Sequence, residues 1–252
     1  MINLLITGAH GFLGSALRTS LLSESNVRVL EFCRGDSDEV LHKHIKLADF
    51  IFHFAGEVKP KSSDEEFASS NNELTEKMVD FLSRENKKTP ILLTSTIHAL
   101  APKTAYGSTK LESEKLVEKY AQKQKATAWI YRLPHIFGPG CKPNYNSVLS
   151  TWIYNSINNL EVNVFDRSIK MHYCYSLDLV RSFKSHLIHS EKVGCFYMEP
   201  IDIYNTTLGD IVDLINAFKI ENTGSKVTFG QGTFEEKLYL TYQSYVLKHN
   251  VR

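Results

Sequence analysis

Cysteine is scarce and scattered in this chain of 252 residues. Cys33, Cys141, Cys174 and Cys195 form no C-x-x-C pair, which argues against a zinc site and a disulfide scaffold and leaves buried thiols. An excess of one charge is lacking as well. The 29 Lys and Arg against 28 Asp and Glu leave a formal charge of +1, so no overall field recommends nucleic acid or an acidic membrane as partner. Any anion must be held locally. No apolar run approaches the roughly 20 residues that span a bilayer, and Met1-Ile2-Asn3-Leu4-Leu5-Ile6 lacks the basic start of a signal peptide. A cytoplasmic protein of one domain is the expectation, with no metal-ligand arrangement among its histidines and acids.

What is present is alternation. Short apolar runs at 3–7, 27–33, 50–55, 91–95 and 129–133 are separated by stretches of helical spacing, the rhythm of parallel strands joined by crossover helices. The class is α/β, a Rossmann-like doubly wound parallel sheet. Between Arg34 and Phe50 there is room for one helix, at 38–47, and for no strand, so the sheet is expected to be narrower than usual. Residues 1–133 carry the sheet and 134–252 mainly a smaller lobe of the same domain. That lobe opens with 134–146, whose prolines and glycines argue against a regular element. Helices are expected near 148–158, 177–189 and 208–218, and short strands near 162–165 and 169–175. Thr207 and Asp210 read as a helix-capping pair, and a tail with Tyr239, Tyr242 and Tyr245 at helical spacing reads as a helix packing an aromatic face.

The first apolar run leads straight into Thr7-Gly8-Ala9-His10-Gly11-Phe12-Leu13-Gly14, three glycines at G-x-x-G-x-x-G ahead of a helical pattern. Glycine permits a tight turn and lets backbone N–H groups approach a pyrophosphate, which the helix N-terminus also favours. Gly8, His10, Gly11, Phe12, Leu13 and Gly14 are therefore candidates for a dinucleotide cradle. About twenty residues on, where an NAD enzyme places an acid on the ribose hydroxyls, the chain has Cys33-Arg34-Gly35. The Arg34 guanidinium suits a 2′-phosphate, which favours NADP over NAD. Glu31, two residues before Cys33, is the rival: if it faces the cofactor, Arg34 is a solvated surface residue.

A second pattern follows the fourth strand. Tyr106-Gly107-Ser108-Thr109-Lys110 puts a phenol and an ammonium four residues apart, on one face of a helix. An adjacent ammonium is expected to lower the phenol toward the working range, where Tyr106 can exchange a proton with a substrate oxygen. Leu93-Thr94-Ser95-Thr96 ends the strand in small hydroxyls at the sheet edge where α/β folds bind ligands, and Thr96 can hydrogen-bond a reacting carbonyl.

The ordered set of T-G-x-x-G-x-x-G at 7–14, D-x-x-x-H-x-A-G at 49–56 and Thr96, Tyr106 and Lys110 resembles the extended short-chain dehydrogenase/reductases of the NAD-dependent epimerase/dehydratase family. Within that family the chain resembles the NADPH-dependent reductase domain of bacterial capsular-polysaccharide enzymes of the CapF type. The segments Cys141-Lys142-Pro143-Asn144-Tyr145-Asn146, Asp166-Arg167 and Thr207-Leu208-Gly209-Asp210 carry that likeness. The resemblance implies NADP(H) held additionally by Phe54, Ala55, Gly56, Asn71, Thr94, Tyr106, Lys110 and Leu133. It implies reduction of the C4 keto group of a UDP-linked 4-keto-6-deoxy-N-acetylhexosamine, with Thr96, Tyr106 and Lys110 catalytic. It also implies a homodimer, and a separate cupin-type epimerase as a candidate pathway partner.

Departures from the family pattern move the substrate contacts. His135 replaces the Asn of R-x-x-N, and Met171 stands where an Arg often meets the nucleotide phosphates, so Lys142 and Arg167 become the candidates, with Asn144 and Asn146 beside them. Ile97-His98 replaces the Asp-Glu pair of sugar dehydratases, which leaves hydride transfer without elimination. His98 is either a substrate-side proton relay or a half-buried structural residue, and His53 reads as a satisfied core histidine. A nucleotide-sugar 4-epimerase and a non-catalytic NADP-binding module are the alternatives.

Overall fold

The computed structural model describes residues 1–58, 62–145, 147–188, 192–221 and 228–250. In chain order the strands are β1 (Ile2–Thr7), β2 (Val27–Phe32), β3 (Phe50–His53), β4 (Ile91–Thr96), β5 (Thr127–Leu133), β6 (His135–Phe137), β7 (Lys170–Tyr175), β8 (Gly194–Met198) and β9 (Tyr204–Thr207). The helices are α1 (Phe12–Leu21), α2 (Asp38–Leu47), α3 (Asp64–Phe67), α4 (Leu74–Arg84), α5 (Ala105–Gln124), α6 (Val148–Ile157), α7 (Ser176–Ser185), α8 (Leu208–Glu221) and α9 (Phe234–Asn250). A π-helical segment, Ala68–Glu73, joins α3 to α4. The chain divides into two compact units, one of Met1–Leu133 with Val180–Pro200, the other of Pro134–Leu179 with Ile201–Arg252.

The first unit is a six-stranded sheet in the order β2-β1-β3-β4-β5-β8, every pairing parallel. This is the doubly wound α/β architecture expected from the sequence, and only α2 stands between β2 and β3. Alternation along the strands sorts the core. Leu5, Ile51, Leu93 and Ile130 pack on Met78 and Leu82 of α4 and Val117 of α5. Phe50, Phe52, Trp129 and Tyr131 form an aromatic row that Phe183 and His186 extend. With both faces covered, the central strands read as unbroken apolar runs, each fully buried large side chain contributing about 1.5–3 kcal/mol. β3 ends at His53, two residues earlier than expected, because its pairing with β1 and β4 stops there. The sequence reading missed β8: an edge strand of half-buried residues carries little apolar signal.

In the second unit β6 pairs parallel with β7, and β7 antiparallel with β9. Phe137, Tyr173, Tyr175 and Phe234 form its aromatic centre, backed by α6, α8 and α9. Two expectations are corrected here. Residues 134–146 do contain a regular element, β6, because three residues suffice to pair with β7. Residues 162–165 form no strand: Val162 and Val164 pack on the core while Phe165 is fully exposed, so their alternation is side-chain burial without a pairing partner. Thr207 and Asp210 cap α8 reciprocally, and α9 buries Tyr242 with Tyr239 and Tyr245 packed beside it. Among the described residues, no helix is long and apolar enough to cross a membrane.

Candidate active site

The glycine segment forms a turn closed by its own backbone. Gly8 donates its N–H to Phe32 O at 2.8 Å, and Gly11 donates to Gly8 O at 2.9 Å. Gly8 has φ +69°, and a Cβ there would lie 2.8 Å from Ala55 N. A Cβ on Gly14 would sit 2.2 Å from Gly8 O. Both positions therefore need glycine, one for conformation and both for approach. α1 starts at Phe12 with Gly11 as its N-cap, no side-chain cap bond and no acidic residue in the first turn. Leu13 and Gly14 are buried inside it, and no side chain of the first turn occupies the helix N-terminus.

Glu31 is already occupied at the end of β2. His10 Nε2 lies 2.8 Å from Glu31 Oε2, and Arg18 Nε donates to Oε1 at 2.7 Å. Arg34, just past the strand, is exposed and pairs with the buried Glu57 at 2.9 Å. Both groups thus stand beside the turn, the carboxylate engaged by two bases and the guanidinium held at one edge.

β4 and α5 bring the chemistry together. Thr104 caps α5, accepting from Gly107 N, and the helix then presents Tyr106, Lys110 and Glu114 on one face. Thr96 reaches the Tyr106 phenol. Lys110, buried, donates from Nζ to Thr94 O at 3.1 Å. A Cβ on Gly56 would lie 2.5 Å from Asn71 Oδ1 and 2.9 Å from Lys110 Nζ, so this ammonium borders the chain next to Ala55 and the glycine turn. Asn71 donates from Nδ2 to Glu57 O and Thr109 Oγ1 while its buried Oδ1 has no hydrogen-bond partner. Leu133 is buried at the end of β5.

Burial pulls Lys110 down to about 8, with Glu114 opposing. Burial also pushes the Tyr106 phenol above its ordinary value, against the smaller opposing effect of Thr96. This corrects the expected lowering: taking a phenolate out of water raises the phenol, and Lys110 is not among the groups that oppose it. A phenol that keeps its proton is suited to donating one.

His53 is a satisfied core residue, as read, and it links the turn to the π-helical segment. Thr75 Oγ1 donates to Asn71 O at 2.6 Å and so accepts from His53 Nε2 at 2.8 Å; His53 Nδ1 then accepts from Thr7 Oγ1 at 2.6 Å. Ala55 N–H donates to Thr7 Oγ1 at 3.2 Å. Burial, with Lys110 adding, holds His53 down to about 3, in its neutral form. Sequence reasoning missed Glu57 and the buried Glu114. Four-residue spacing after Lys110 was the available signal for Glu114.

The proposed substrate residues are looser. His98 is exposed rather than half-buried, with its ring 6.5 Å from the Tyr106 ring. In the second unit His135 is exposed at the start of β6, 5.6 Å from the Tyr173 ring. Lys142 is exposed, and Asn144, at φ +55°, donates its backbone N–H to Thr151 Oγ1. Arg167 pairs with Asp213 of α8 at 2.7 Å rather than with its neighbour Asp166. Asn146 lies outside the described residues. Among the described residues no group of three His, Cys, Asp or Glu could hold a metal ion.

Comparison with known proteins bears out the resemblance. Residues 4–194 match the NAD dependent epimerase/dehydratase family. The chain is 29% identical over 248 residues to UDP-2-acetamido-2,6-beta-L-arabino-hexul-4-ose reductase of Pseudomonas aeruginosa, covering 97% of this chain and 65% of that protein. The capsular polysaccharide assembling protein CapF of Staphylococcus aureus superposes with a TM-score of 0.85 at 36% identity, over 97% of this chain and 66% of its own. UDP-glucose 4-epimerase of Thermotoga maritima has a TM-score of 0.82 at 17% identity over 98% of this chain and 100% of its own, a likeness of fold. The chain thus spans about two thirds of the length of the first two.

Proposed function

The chain belongs to the NAD dependent epimerase/dehydratase family, and from that premise we propose that it is an NADP-dependent oxidoreductase reducing the C4 keto group of a UDP-linked 4-keto-6-deoxy-N-acetylhexosamine. The single observation that carries this reading is the pairing of β4 with α5, Thr96 with Tyr106 and Thr94 O with Lys110, whose Nζ borders Gly56. The residues present fit a dinucleotide: the turn at Gly8 and Gly14 has no room for a side chain, and Asn71 Oδ1 is a buried acceptor awaiting a donor. A bound nicotinamide cofactor supplies the hydride in such chemistry.

The chain's own residues do the rest. Thr96 orients the carbonyl by hydrogen bonding, and Tyr106 gives its proton to the carbonyl oxygen as negative charge develops there. Lys110, protonated below about 8, favours the phenolate left behind and is placed to hold a ribose hydroxyl. Arg34 selects a 2′-phosphate, and the engagement of Glu31 by His10 and Arg18 leaves it less able to accept from ribose hydroxyls. Lys142 and Arg167 are the candidates for the substrate diphosphate, and His98, His135, Asn144 and Asn146 are the further substrate-binding candidates. A cytoplasmic setting, a homodimer and a cupin-type epimerase as pathway partner belong to the same proposal, supported by the resemblance to the CapF type.

The test is oxidation of NADPH, with NADH as control, across a panel of UDP-linked 4-keto sugars. Turnover preferring NADPH is the expected result. Protein that retains stoichiometric NAD and oxidises NADPH with none of the sugars is instead a 4-epimerase.

A further inference from the structure

Glu114 is a wholly buried carboxylate that this chemistry leaves unused. Isolated in the interior, such a charge costs several kcal/mol, so its partners must compensate it. Ser95 Oγ donates to Oε1 at 2.5 Å, and Arg132 donates from Nε to Oε1 and from Nη2 to Oε2, at 3.1 and 2.6 Å. The Arg132 guanidinium is itself stacked 4.4 Å from the centre of the Tyr197 ring. Three consecutive residues of β4 thus meet three successive turns of α5: Thr96 with Tyr106, Thr94 O with Lys110, and Ser95 with Glu114.

Resting on the reading of Tyr106 and Lys110 above, we propose that Glu114 is a positioning residue for the reaction. Anchored by Ser95 and Arg132, it seats α5 on β4 in the register that the acid and the ammonium need, and it is the fixed negative charge that keeps buried Lys110 protonated. The titratable groups around this pair are few. Arg132 faces the carboxylate from β5, and Cys195 and Tyr197 face it from β8, both pushed up to about 12 by burial first and then by Glu114 and by Glu118 one turn further along α5, and so neutral in the working range. On the lysine side, His53 from β3 is also neutral. One carboxylate therefore serves two cations, Lys110 and Arg132.

The experiment follows the Lys110 side-chain NMR signal of the cofactor-free protein against pH, assigned by its loss in Lys110→Arg, alongside the pH profile of turnover. In Glu114→Gln the Lys110 midpoint drops below its position near 8, and the basic limb of kcat moves down with it while KM changes less. Arg132→Gln removes the competing cation and moves the midpoint up. Ser95→Ala, which keeps both charges and guards against a misfolded Glu114 variant, lowers kcat with the midpoint unmoved. A midpoint unchanged in Glu114→Gln, a downward move in Arg132→Gln, or an unaltered kcat in Ser95→Ala overturns the proposal. Tyr106→Phe separates the two readings: full turnover in that variant removes the catalytic assignment, while the Lys110 titration still reports on Glu114.

Discussion

The two compact units hold their candidate residues in opposite ways. In the first, Lys110, Asn71, His53 and Glu114 are buried and tied to the backbone or to each other, so that a ring tautomer, a lysine nitrogen and a helix register are set by packing before any ligand arrives. In the second, Lys142, Asn144 and Arg167 are exposed on loops or paired across the surface. The contrast teaches that buried, mutually bonded side chains are fixed by the fold, whereas exposed ones can be exchanged at little cost to it, the arrangement expected if the proposed substrate contacts lie in the second unit.

That contrast can be broken at its strongest point first. Lys110→Met, close in shape but uncharged, is expected to lower turnover by about 10²–10³-fold; a loss under tenfold would show that the buried ammonium is incidental. Next, Arg34→Ala should reduce the preference for NADPH over NADH by about 10–100-fold, the range of a charge-assisted hydrogen bond or two. An unchanged preference, measured as the ratio of kcat/KM values, would return the selection to Glu31.

Stability sharpens the comparison further. His53 is lowered to about 3 in the folded protein and sits near 6.5 when unfolded, so between those values the unfolded chain binds more protons and stability rises with pH, levelling off above 6.5. Urea unfolding at pH 5 against pH 7 should show about 2 kcal/mol lost from this group, a slope missing in His53→Gln. Equal slopes in both proteins would mean that His53 is already protonated or not desolvated. The smallest effect belongs to the second unit. Arg167→Met should cost at most about 1 kcal/mol of stability while raising KM for the UDP-sugar, and an unchanged KM takes Arg167 out of the substrate site.

The residue pattern made the first unit largely legible because its physics is local: a glycine turn after a buried strand, and four-residue spacing on a helix. It missed β8, whose half-buried edge position carries no apolar run, and it read residues 162–165 as a strand because Val162 and Val164 alternate without a partner to pair with. The phenol was expected to be lowered by Lys110; sequence spacing shows a neighbour on the helix but not the depth of burial, which raises the phenol with only Thr96 opposing. Glu114 shares the face of Lys110 by its four-residue spacing, but its burial was not legible, since a Glu on an amphipathic helix ordinarily faces water. Partners such as Glu57 for Arg34 and Asp213 for Arg167 lie too far along the chain for any local pattern to announce.

The most direct check of the central claim is a single-turnover measurement of NADPH oxidation with a UDP-4-keto-6-deoxy-N-acetylhexosamine, wild type beside Tyr106→Phe, with NADPH affinity measured on both. The account predicts a loss of about 10²–10⁴-fold in rate and an affinity changed by no more than a few-fold. Equal rates in the two proteins would contradict it.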